Sequence, residues 1–323
     1  MKKLLALLLT LTSVFAVSLT SGCAKSEGKL VIAVSDGAPT LALFSVMDSV
    51  NKLEGYEIEY KVLSGAENIR DYYASGAADC AVMPVNVAAM LYNKGTDLKL
   101  MSVNVFGVLY LVGKEDLSSA QDLIGKTVVT IGQGATPDIS FKKVLDGNGV
   151  EYVDSEEKTN GKVALNYVAD APTAMKTLAQ GKADYAILGE PVVTTACKNL
   201  GVKIVMDIQK EWSALVGENT FTQAGMVVSK KVYENEALYS ALYKKLSLNP
   251  EYIVENPAKV KKVIQKFGSS LQVDFTEEIL SRCNLGCKAS SSIKASLESY
   301  FTAILDYKPA FIGGKLPDDG FYY

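Results

Sequence analysis

The chain has 323 residues and contains no histidine, and its only arginines are Arg70 and Arg282. Without an imidazole, neither a Ser–His nor a Cys–His catalytic pair can be assembled. Zinc is disfavoured for the same reason, because two cysteines at close spacing are a weak ligand signal. The chain also lacks the basic stripe that is typical of a nucleic-acid-binding surface. We therefore predict no catalytic residue, no metal site, no cofactor and no nucleic-acid partner.

Cysteine is also scarce, since the segment after residue 28 contains only Cys80, Cys197, Cys283 and Cys287. Cys80 and Cys197 lie in apolar segments, which is typical of buried thiols. Cys283 and Cys287 are close enough in sequence to form a local disulfide if the protein is exported to an oxidising compartment. The sequence leaves open whether that bond forms.

Apolar residues, by contrast, are abundant. They make up 48% of the chain, and the formal net charge is only −3. This balance is typical of a globular protein with a substantial core. The length is sufficient for two domains.

The first residues have the features of a targeting segment. Lys2 and Lys3 precede an apolar stretch that runs to Leu19 and is followed by Thr20-Ser21-Gly22-Cys23. This order resembles the lipobox of bacterial lipoproteins, although Thr20 replaces the usual leucine. A plain secretory signal peptide and a membrane anchor are the alternatives, but the stretch is short for a spanning helix. The resemblance implies a signal peptide over 1–22, lipidation of Cys23 and a tether over 23–28.

Two pairs of segments repeat in the same order along the chain. Residues 28–44 match 125–141 in a pattern of strand, glycine turn and helix start, and residues 76–84 match 181–191. Such internal similarity predicts two similar lobes, although any two βα units share some likeness. Two facing lobes with helix N-termini at their strand ends describe a ligand cleft.

Alternating strands and helices predict a mostly parallel sheet in each lobe. The apolar runs 105–112 and 223–229 carry no turn signals inside them. We expect these two runs to pair with each other and to cross between the lobes as a hinge.

The candidate ligand-binding residues lie at the predicted strand ends. The first turn contributes Ser35, Asp36, Gly37 and Ala38, and the second contributes Gln133, Gly134, Ala135 and Thr136. Helix capping alone is the alternative role for both turns. We favour ligand contact at the second turn, because its glycines leave the backbone open.

Asn86 and Glu190 occupy corresponding positions where a strand leads into a helix. The carboxylate of Glu190 either satisfies the helix dipole or accepts hydrogen bonds from an amino-heterocycle. Tyr167, at the end of a strand, either stacks on a flat ligand or belongs to the core. Arg70 lies within a predicted helix, where we expect it to be solvated. With little positive charge expected in the cleft, the sequence favours a solute that carries hydrogen-bond donors.

Several segments together resemble a type II solute-binding protein of an ABC importer. They are VFGVLYLVGKED, DLIGKTVVTIGQG, QAGMVVSKK, MPVNVAAMLYNKG, DYAILGEPVVT and the tail GGKLPDDGFYY, in addition to the lipobox. The closest resemblance is to the branch that binds aliphatic sulfonates, nitrate and thiamine pyrimidines. It implies an α/β fold of two lobes joined by a two-strand hinge, with one lobe over 29–105 plus 233–323 and the other over 106–232.

The same resemblance implies the function and the partners. We expect an extracytoplasmic, membrane-anchored lipoprotein, monomeric, that captures a small organic solute and delivers it to the transmembrane subunits of an ABC permease. A thiamine-pyrimidine-like nitrogen heterocycle is the first candidate solute, and an alkanesulfonate- or nitrate-type anion is the alternative. An enzyme on the same fold is disfavoured, because the group that makes the thiamine pyrimidine uses an active-site histidine and other enzymes of this fold are not exported.

Overall fold

The computed structural model describes residues 28–133, 136–216 and 221–323. The expected signal peptide, the lipidation site Cys23 and nearly all of the tether lie outside this part of the chain. Gly134 and Ala135, two of the candidate binding residues, also lie outside it.

The strands of the described residues form two separate sheets. They are β1 Gly28–Ser35, β2 Lys52–Leu53, β3 Tyr56–Leu63, β4 Cys80–Pro84, β5 Leu98–Val105, β6 Leu109–Gly113, β7 Thr127–Ile131, β8 Tyr152–Asp154, β9 Val163–Val168, β10 Tyr185–Gly189, β11 Lys203–Asp207, β12 Ala224–Ser229 and β13 Leu285–Ala289.

Helices cover both faces of the sheets. They are α1 Ala38–Leu41, α2 Phe44–Ser49, α3 Gly65–Ala74, α4 Val85–Asn93, α5 Thr136–Gly147, α6 Ala171–Ala179, α7 Val192–Leu200, α8 Ile208–Val216, α9 Lys230–Tyr233, α10 Glu236–Ser247, α11 Asn249–Glu255, α12 Pro257–Lys266, α13 Glu277–Arg282 and α14 Lys294–Tyr307. Short 3₁₀ turns occur at Ala120–Leu123, Ser290–Ile293, Pro309–Ile312 and Asp319–Phe321.

The first sheet has the order β13-β5-β12-β4-β1-β3-β2, and the second has the order β11-β6-β10-β7-β9-β8. We call the parts of the chain built on them the first lobe and the second lobe. Both sheets contain parallel and antiparallel pairs. Parallel neighbours predominate only in the second sheet, because β12 and β13 join the first sheet in the antiparallel direction.

Each sheet separates two layers of apolar side chains. In the first lobe, one layer includes Phe44 of α2 and Leu242 of α10, and the other includes Ile69 of α3 and Phe301 of α14. In the second lobe, Phe141 of α5 packs on one face and helices α6 and α7 pack on the other. Burial of this apolar surface is the main stabilising contribution to both lobes.

The chain crosses from the first lobe to the second between β5 and β6, through residues 106–108. Gly107 has a φ of +92°, and a Cβ at this position would lie 2.2 Å from Cγ of Gln209. Glycine is therefore required by both the backbone conformation and the close approach. The chain returns ahead of β12, where the N–H of Gln223 donates to the carbonyl of Val105 and its Oε1 accepts from the N–H of Val108.

The expected pairing of 223–229 with 107–112 is wrong. Strand β12 lies between β4 and β5 in the first sheet, whereas β6 pairs with β10 and β11 in the second. Residues 224–229 therefore belong to the first lobe and not to the second. The apolar run of β12 suits a strand with neighbours on both sides and cover on both faces.

Cys80, Cys197, Cys283 and Cys287 are free thiols in the structure. Burial raises the pKa of Cys80 and of Cys283, which makes both thiols poor nucleophiles. Within the described part of the chain, no helix combines the length and the apolar character needed to cross a membrane.

Candidate functional site

A cavity of about 460 Å³ lies between the two lobes. Its walls are formed by segments at the carboxyl ends of β3 and β4 in the first lobe and of β7 and β9 in the second. Parallel strands place their carboxyl ends at one edge of a sheet, and ligands of open α/β sheets bind in the crevice outside that edge. The volume is within the range of small-molecule sites.

Three helices begin at this cavity. Gly65, the first residue of α3, and Thr136, the first residue of α5, both line it, and α4 starts between the lining residues Pro84 and Asn86. The first turn of a helix presents backbone N–H groups without intrahelical partners and a partial positive charge. The cavity is therefore suited to groups that accept hydrogen bonds or carry negative charge.

Asn86 provides the most informative side chain on the wall. It is only 4% exposed, and its Oδ1 atom has no hydrogen-bond partner among the described residues. Nine buried side-chain polar atoms of the described residues lack a partner, and of their residues only Asn86 lines this cavity. Leaving a buried polar atom unpaired costs about 1–3 kcal/mol. The side chain lies on the cavity wall, where a bound molecule can supply the missing partner.

The apolar part of the wall comes from both lobes. Val87 and Met90 of α4, together with Phe311, face Ile131 of β7 across the cavity. Phe311 follows α14 in sequence and lies more than 200 residues after the α4 side chains that it joins. No local pattern in the sequence places it at the site. A mainly apolar wall with a few polar groups is typical of sites for small organic molecules.

Arg70 lines the cavity, and its side chain remains 35% exposed, in agreement with the solvated side chain that the sequence predicted. Its Nε lies 2.8 Å from Oδ1 of Asp71, and this hydrogen bond raises the pKa of Arg70. Glu67, in the first turn of the same helix, also lines the cavity. The wall therefore carries one arginine and one glutamate side chain in addition to the three helix N-termini.

Among the second-turn residues, Gln133 and Thr136 do line the cavity. Nε2 of Gln133 donates to Oδ2 of Asp154. Oγ1 of Thr136 accepts a hydrogen bond of 3.1 Å from the buried hydroxyl of Tyr300 in the first lobe. Thr136 therefore connects the two lobes at the cavity wall.

The first-turn residues Ser35 to Ala38 do not line the cavity. The carboxylate of Asp36 accepts hydrogen bonds from Oγ of Ser269 at 2.6 Å and from N and Oγ of Ser270 at 2.8 and 2.7 Å. These contacts fasten the end of β1 to the segment after α12. The partners lie 233 and 234 residues away in sequence, which is why the local pattern did not reveal this structural role.

Glu190 also lies off the cavity wall, and its contact with the first turn of α7 corresponds to the helix-start role that the sequence left open. It is 3% exposed, and its Oε1 accepts from Nε of Arg282 at 2.6 Å and from Oγ1 of Thr194 at 3.0 Å. Oε2 accepts from the N–H and the hydroxyl of Thr194. Burial opposes the charge of Arg282, but its hydrogen bond to Glu190 raises the pKa of Arg282 overall. The carboxylate thus serves an ion pair between the lobes.

Tyr167 contacts a polar cluster beside the cavity and does not line the cavity itself. Its hydroxyl donates to Oδ1 of Asp138 at 2.8 Å, and Nζ of Lys142 lies 3.3 Å from the same carboxylate. Burial, and secondarily the charge of Asp138, raises the pKa of Tyr167. Its side chain therefore stays neutral and acts as a hydrogen-bond donor. In the described residues, no group of three or more histidine, cysteine or carboxylate side chains is arranged to hold a metal ion.

Comparisons with known proteins agree with this architecture. A family model described as NMT1/THI5 like matches residues 52–259. An ABC transporter structure from Parabacteroides distasonis is 24% identical, covers 91% of this chain and 98% of its own, and superposes with a TM-score of 0.77. The periplasmic aliphatic sulphonate binding protein SsuA from Escherichia coli is 14% identical, with 92% of both chains covered and a TM-score of 0.70.

The ligand-binding component of an ABC-type import system from Staphylococcus aureus, solved with zinc bound, is 11% identical with a TM-score of 0.65, and the match covers 92% of this chain and 97% of that one. Among curated protein sequences, none matches. At these identities the solved structures establish the fold, and they confirm the two-lobed, periplasmic-binding-protein-like architecture that the sequence predicted.

Proposed function

Because the chain belongs to the NMT1/THI5-like family, we propose that it is the solute-binding component of an ABC importer on the extracytoplasmic side of the membrane. The proposal is supported by the two-lobed fold and by similar structures that are described as ABC transporter components. The solute is captured between the lobes and delivered to the transmembrane subunits of a permease. The reaction is binding and release, without covalent chemistry.

The observation that carries this proposal is the cavity between the lobes with the unpartnered amide oxygen of Asn86 on its wall. A cleft formed by two lobes can close around a ligand and exclude water from its polar contacts. A buried acceptor without a partner is stabilised when a ligand donates to it. We therefore place solute recognition at Asn86 and the neighbouring helix N-termini.

The solute that we propose first is a small nitrogen heterocycle with amino substituents. The side-chain amide of Asn86 offers a donor and an acceptor side by side, which matches the edge of such a ring. Phe311 provides a flat aromatic surface for one face, and Met90 adds a polarisable apolar contact. Glu190, on which the sequence argument for a heterocycle relied, no longer supports it, because Arg282 and Thr194 occupy its oxygens.

An alkanesulfonate-type anion is the second candidate. Three helix N-termini and Arg70 line the cavity and favour an acceptor-rich head group. The fold likeness to an aliphatic sulphonate binding protein is consistent with this alternative. Glu67 on the same wall opposes it, because its carboxylate repels an anion.

We further propose that the protein is a monomer anchored through a lipid on Cys23. The support is the lipobox-like order of residues 19–23 after an apolar stretch. Labelled palmitate should be incorporated by the parent protein and not by Cys23→Ala. Equal labelling of the two proteins would contradict the anchor and leave solute binding unaffected.

Mass spectrometry of the small molecules released on denaturing the purified protein tests the proposed function. We expect a single solute that rebinds one to one in titration calorimetry and is recovered unchanged after prolonged incubation. Conversion of the solute into a product would identify an enzyme, and the absence of any rebinding molecule would contradict the transport role.

A further inference from the structure

The outgoing connection between the lobes is held by side-chain amides from three distant parts of the chain. They belong to Asn284 ahead of β13, Gln223 ahead of β12 and Gln209 in α8. Each amide bonds a backbone group between residues 107 and 109. A peptide unit is planar and rigid, so a bond to its N–H or its carbonyl fixes the orientation of the whole unit.

The peptide unit that joins Gly107 to Val108 is fixed to the first lobe. Its carbonyl accepts from Nδ2 of Asn284 at 2.6 Å, and its N–H donates to Oε1 of Gln223 at 2.9 Å. Asn284 immediately precedes β13, and the N–H of Gln223 donates to the carbonyl of Val105 in β5. Both partners therefore move with the first sheet.

The next peptide unit, from Val108 to Leu109, is fixed to the second lobe. Its carbonyl accepts from the N–H of Glu190 at 2.9 Å, and its N–H donates to Oε1 of Gln209 at 2.6 Å. Glu190 immediately follows β10, and Nε2 of Gln209 donates to Asp207 of β11 at 2.9 Å. Both partners therefore move with the second sheet.

Val108 thus separates two rigid units that belong to different lobes. Only its φ and ψ torsions lie between them. On this connection, a rotation of the lobes that preserves the four hydrogen bonds must pass through these two torsions. The Val108 side chain is 4% exposed and packs in the core layer of the first lobe that contains Val105, so it moves with that lobe.

Two contacts across the cleft respond differently to such a rotation. Thr136 and Asp146 of α5 each accept a hydrogen bond from a tyrosine hydroxyl of α14 in the first lobe. The donors are Tyr300 and Tyr307, which lie two turns apart on that helix. Widening the cavity separates these pairs, whereas each of the four bonds beside Val108 is made within one lobe.

We propose that Val108 is the hinge residue of the outgoing connection and sets the balance between the open and closed forms of the solute site. Opening changes the φ and ψ of Val108, breaks the two tyrosine contacts and leaves the four backbone bonds intact. This inference rests on the proposed solute-binding function and deepens it, because the population of the closed form determines the apparent affinity.

A comparison of glycine with alanine at Val108 isolates the backbone torsions. Both replacements remove the branched methyl groups, but only glycine adds conformational freedom. Double electron–electron resonance between nitroxides at Ala74 and Lys176, exposed helix positions in different lobes, measures opening of the solute-free protein. Attachment through a ketone-bearing amino acid spares the cysteines. We expect the ratio of open to closed molecules to be about two- to fivefold higher in Val108→Gly than in Val108→Ala.

Val105 is the matched control, because it is a valine of the same core layer with 1% exposure and lies within β5. Val105→Gly and Val105→Ala should give the same distance distribution, and urea denaturation should show that all four variants are folded. Equal distributions for the glycine and alanine variants at Val108, or an equal difference at Val105, would overturn the hinge.

Amide hydrogen exchange followed by NMR tests the same hinge in the unaltered protein. We expect the N–H groups of Val108 and Leu109 to exchange as slowly as those of the core strands, because their acceptors move with them during opening. Rapid exchange of either would show that opening breaks a bond beside Val108 and would overturn the proposal. Neither measurement uses a solute, so the hinge can fail while the proposed function stands, and the proposed function can fail while the hinge stands.

Discussion

The two lobes use the same contact at the start of corresponding strands. In the first lobe, Oδ2 of Asp79 accepts from the N–H of Val31 at 2.8 Å, and the N–H of Asp79 donates to the carbonyl of Val31. In the second lobe, Asp184 and Thr127 make the same reciprocal pair, with the side-chain bond at 2.9 Å. A lysine salt-bridges each aspartate as well. The repeat in the sequence therefore corresponds to a repeated structural device.

At the other end of these strands the lobes differ. Asn86 follows β4, lies on the cavity wall and has an oxygen without a partner among the described residues. Glu190 follows β10 and has partners for both oxygens. Equivalent positions in the two lobes therefore differ in role, because distant parts of the chain supply partners to Glu190 but not to the amide oxygen of Asn86.

The largest loss of stability is expected when the ion pair between Arg282 and Glu190 is removed. Arg282→Met should lower the free energy of unfolding by about 3–5 kcal/mol, because it leaves the fully buried Glu190 carboxylate without its counter-charge. Urea denaturation measures the loss. Arg70→Met is the control and should change stability by less than about 1 kcal/mol, since Arg70 pairs with the exposed Asp71.

A double variant tests whether the loss of stability comes from the unpaired charge of Glu190. Arg282→Met combined with Glu190→Gln removes both charges, so it should recover much of the lost stability. Equal losses for the Arg282 and Arg70 variants would show that the buried ion pair contributes no more to the free energy of unfolding than the exposed one.

The repeated aspartates should give effects of similar size in the two lobes. Asp79→Ala and Asp184→Ala should each lower the free energy of unfolding by about 1–3 kcal/mol, because a backbone N–H loses its acceptor. Replacement by asparagine should cost less, since the amide oxygen can still accept from that N–H. A loss in one lobe alone would contradict the equivalence of the two contacts.

Solute binding should separate Asn86 from Glu190. Asn86→Ala should weaken binding of the recovered solute about tenfold through the loss of one hydrogen bond. Glu190→Gln should leave the affinity nearly unchanged, because the carboxylate does not line the cavity. Glu190→Gln should lower the free energy of unfolding more than Asn86→Ala does, because only the Glu190 side-chain oxygens have hydrogen-bond partners to lose. Titration calorimetry and urea denaturation of both variants measure the two quantities, and an inverted pattern would place the solute near Glu190.

The smallest effect concerns the ionisation of Tyr152, the first residue of β8. Burial, and then the charges of Asp146 and Asp138, raises its pKa to about 12. The neutral phenol is favoured in the folded state, so its contribution to stability is complete below about pH 10 and is lost as the pH rises through about 12. Absorbance titration of the parent and of Tyr152→Phe should differ by one step near pH 12. A step near pH 10 would contradict this environment.

Much of the fold was predictable because its signals are local. The β-branched apolar run 127–131 coincides with β7, and residues 56–63 coincide with β3. The exact alignment of the two repeated segments was not predictable from local patterns. The sequence aligned Val31 with Val128, whereas the reciprocal contacts make Val31 equivalent to Thr127.

The candidate site was predicted in outline and missed in detail. Of the residues that the strand-to-helix turns indicated, Asn86, Gln133 and Thr136 line the cavity between the lobes, and their contact with a solute stays a prediction. Arg70 and Phe311 were missed, because a helix position and a C-terminal aromatic residue carry no signal for a distant wall. Asp36 and Glu190 were assigned to the ligand because their partners, Ser269 and Arg282, lie far along the chain.

The position of β12 determines the order in which the nascent chain can fold. Both neighbours of β5 in the first sheet, β12 and β13, follow the second lobe in sequence, whereas the second sheet is built from one uninterrupted segment. The second lobe can therefore complete its sheet while the first still has an unpaired strand exposed. A chain shortened to end before β12 would retain every strand of the second sheet and leave β5 with no partner.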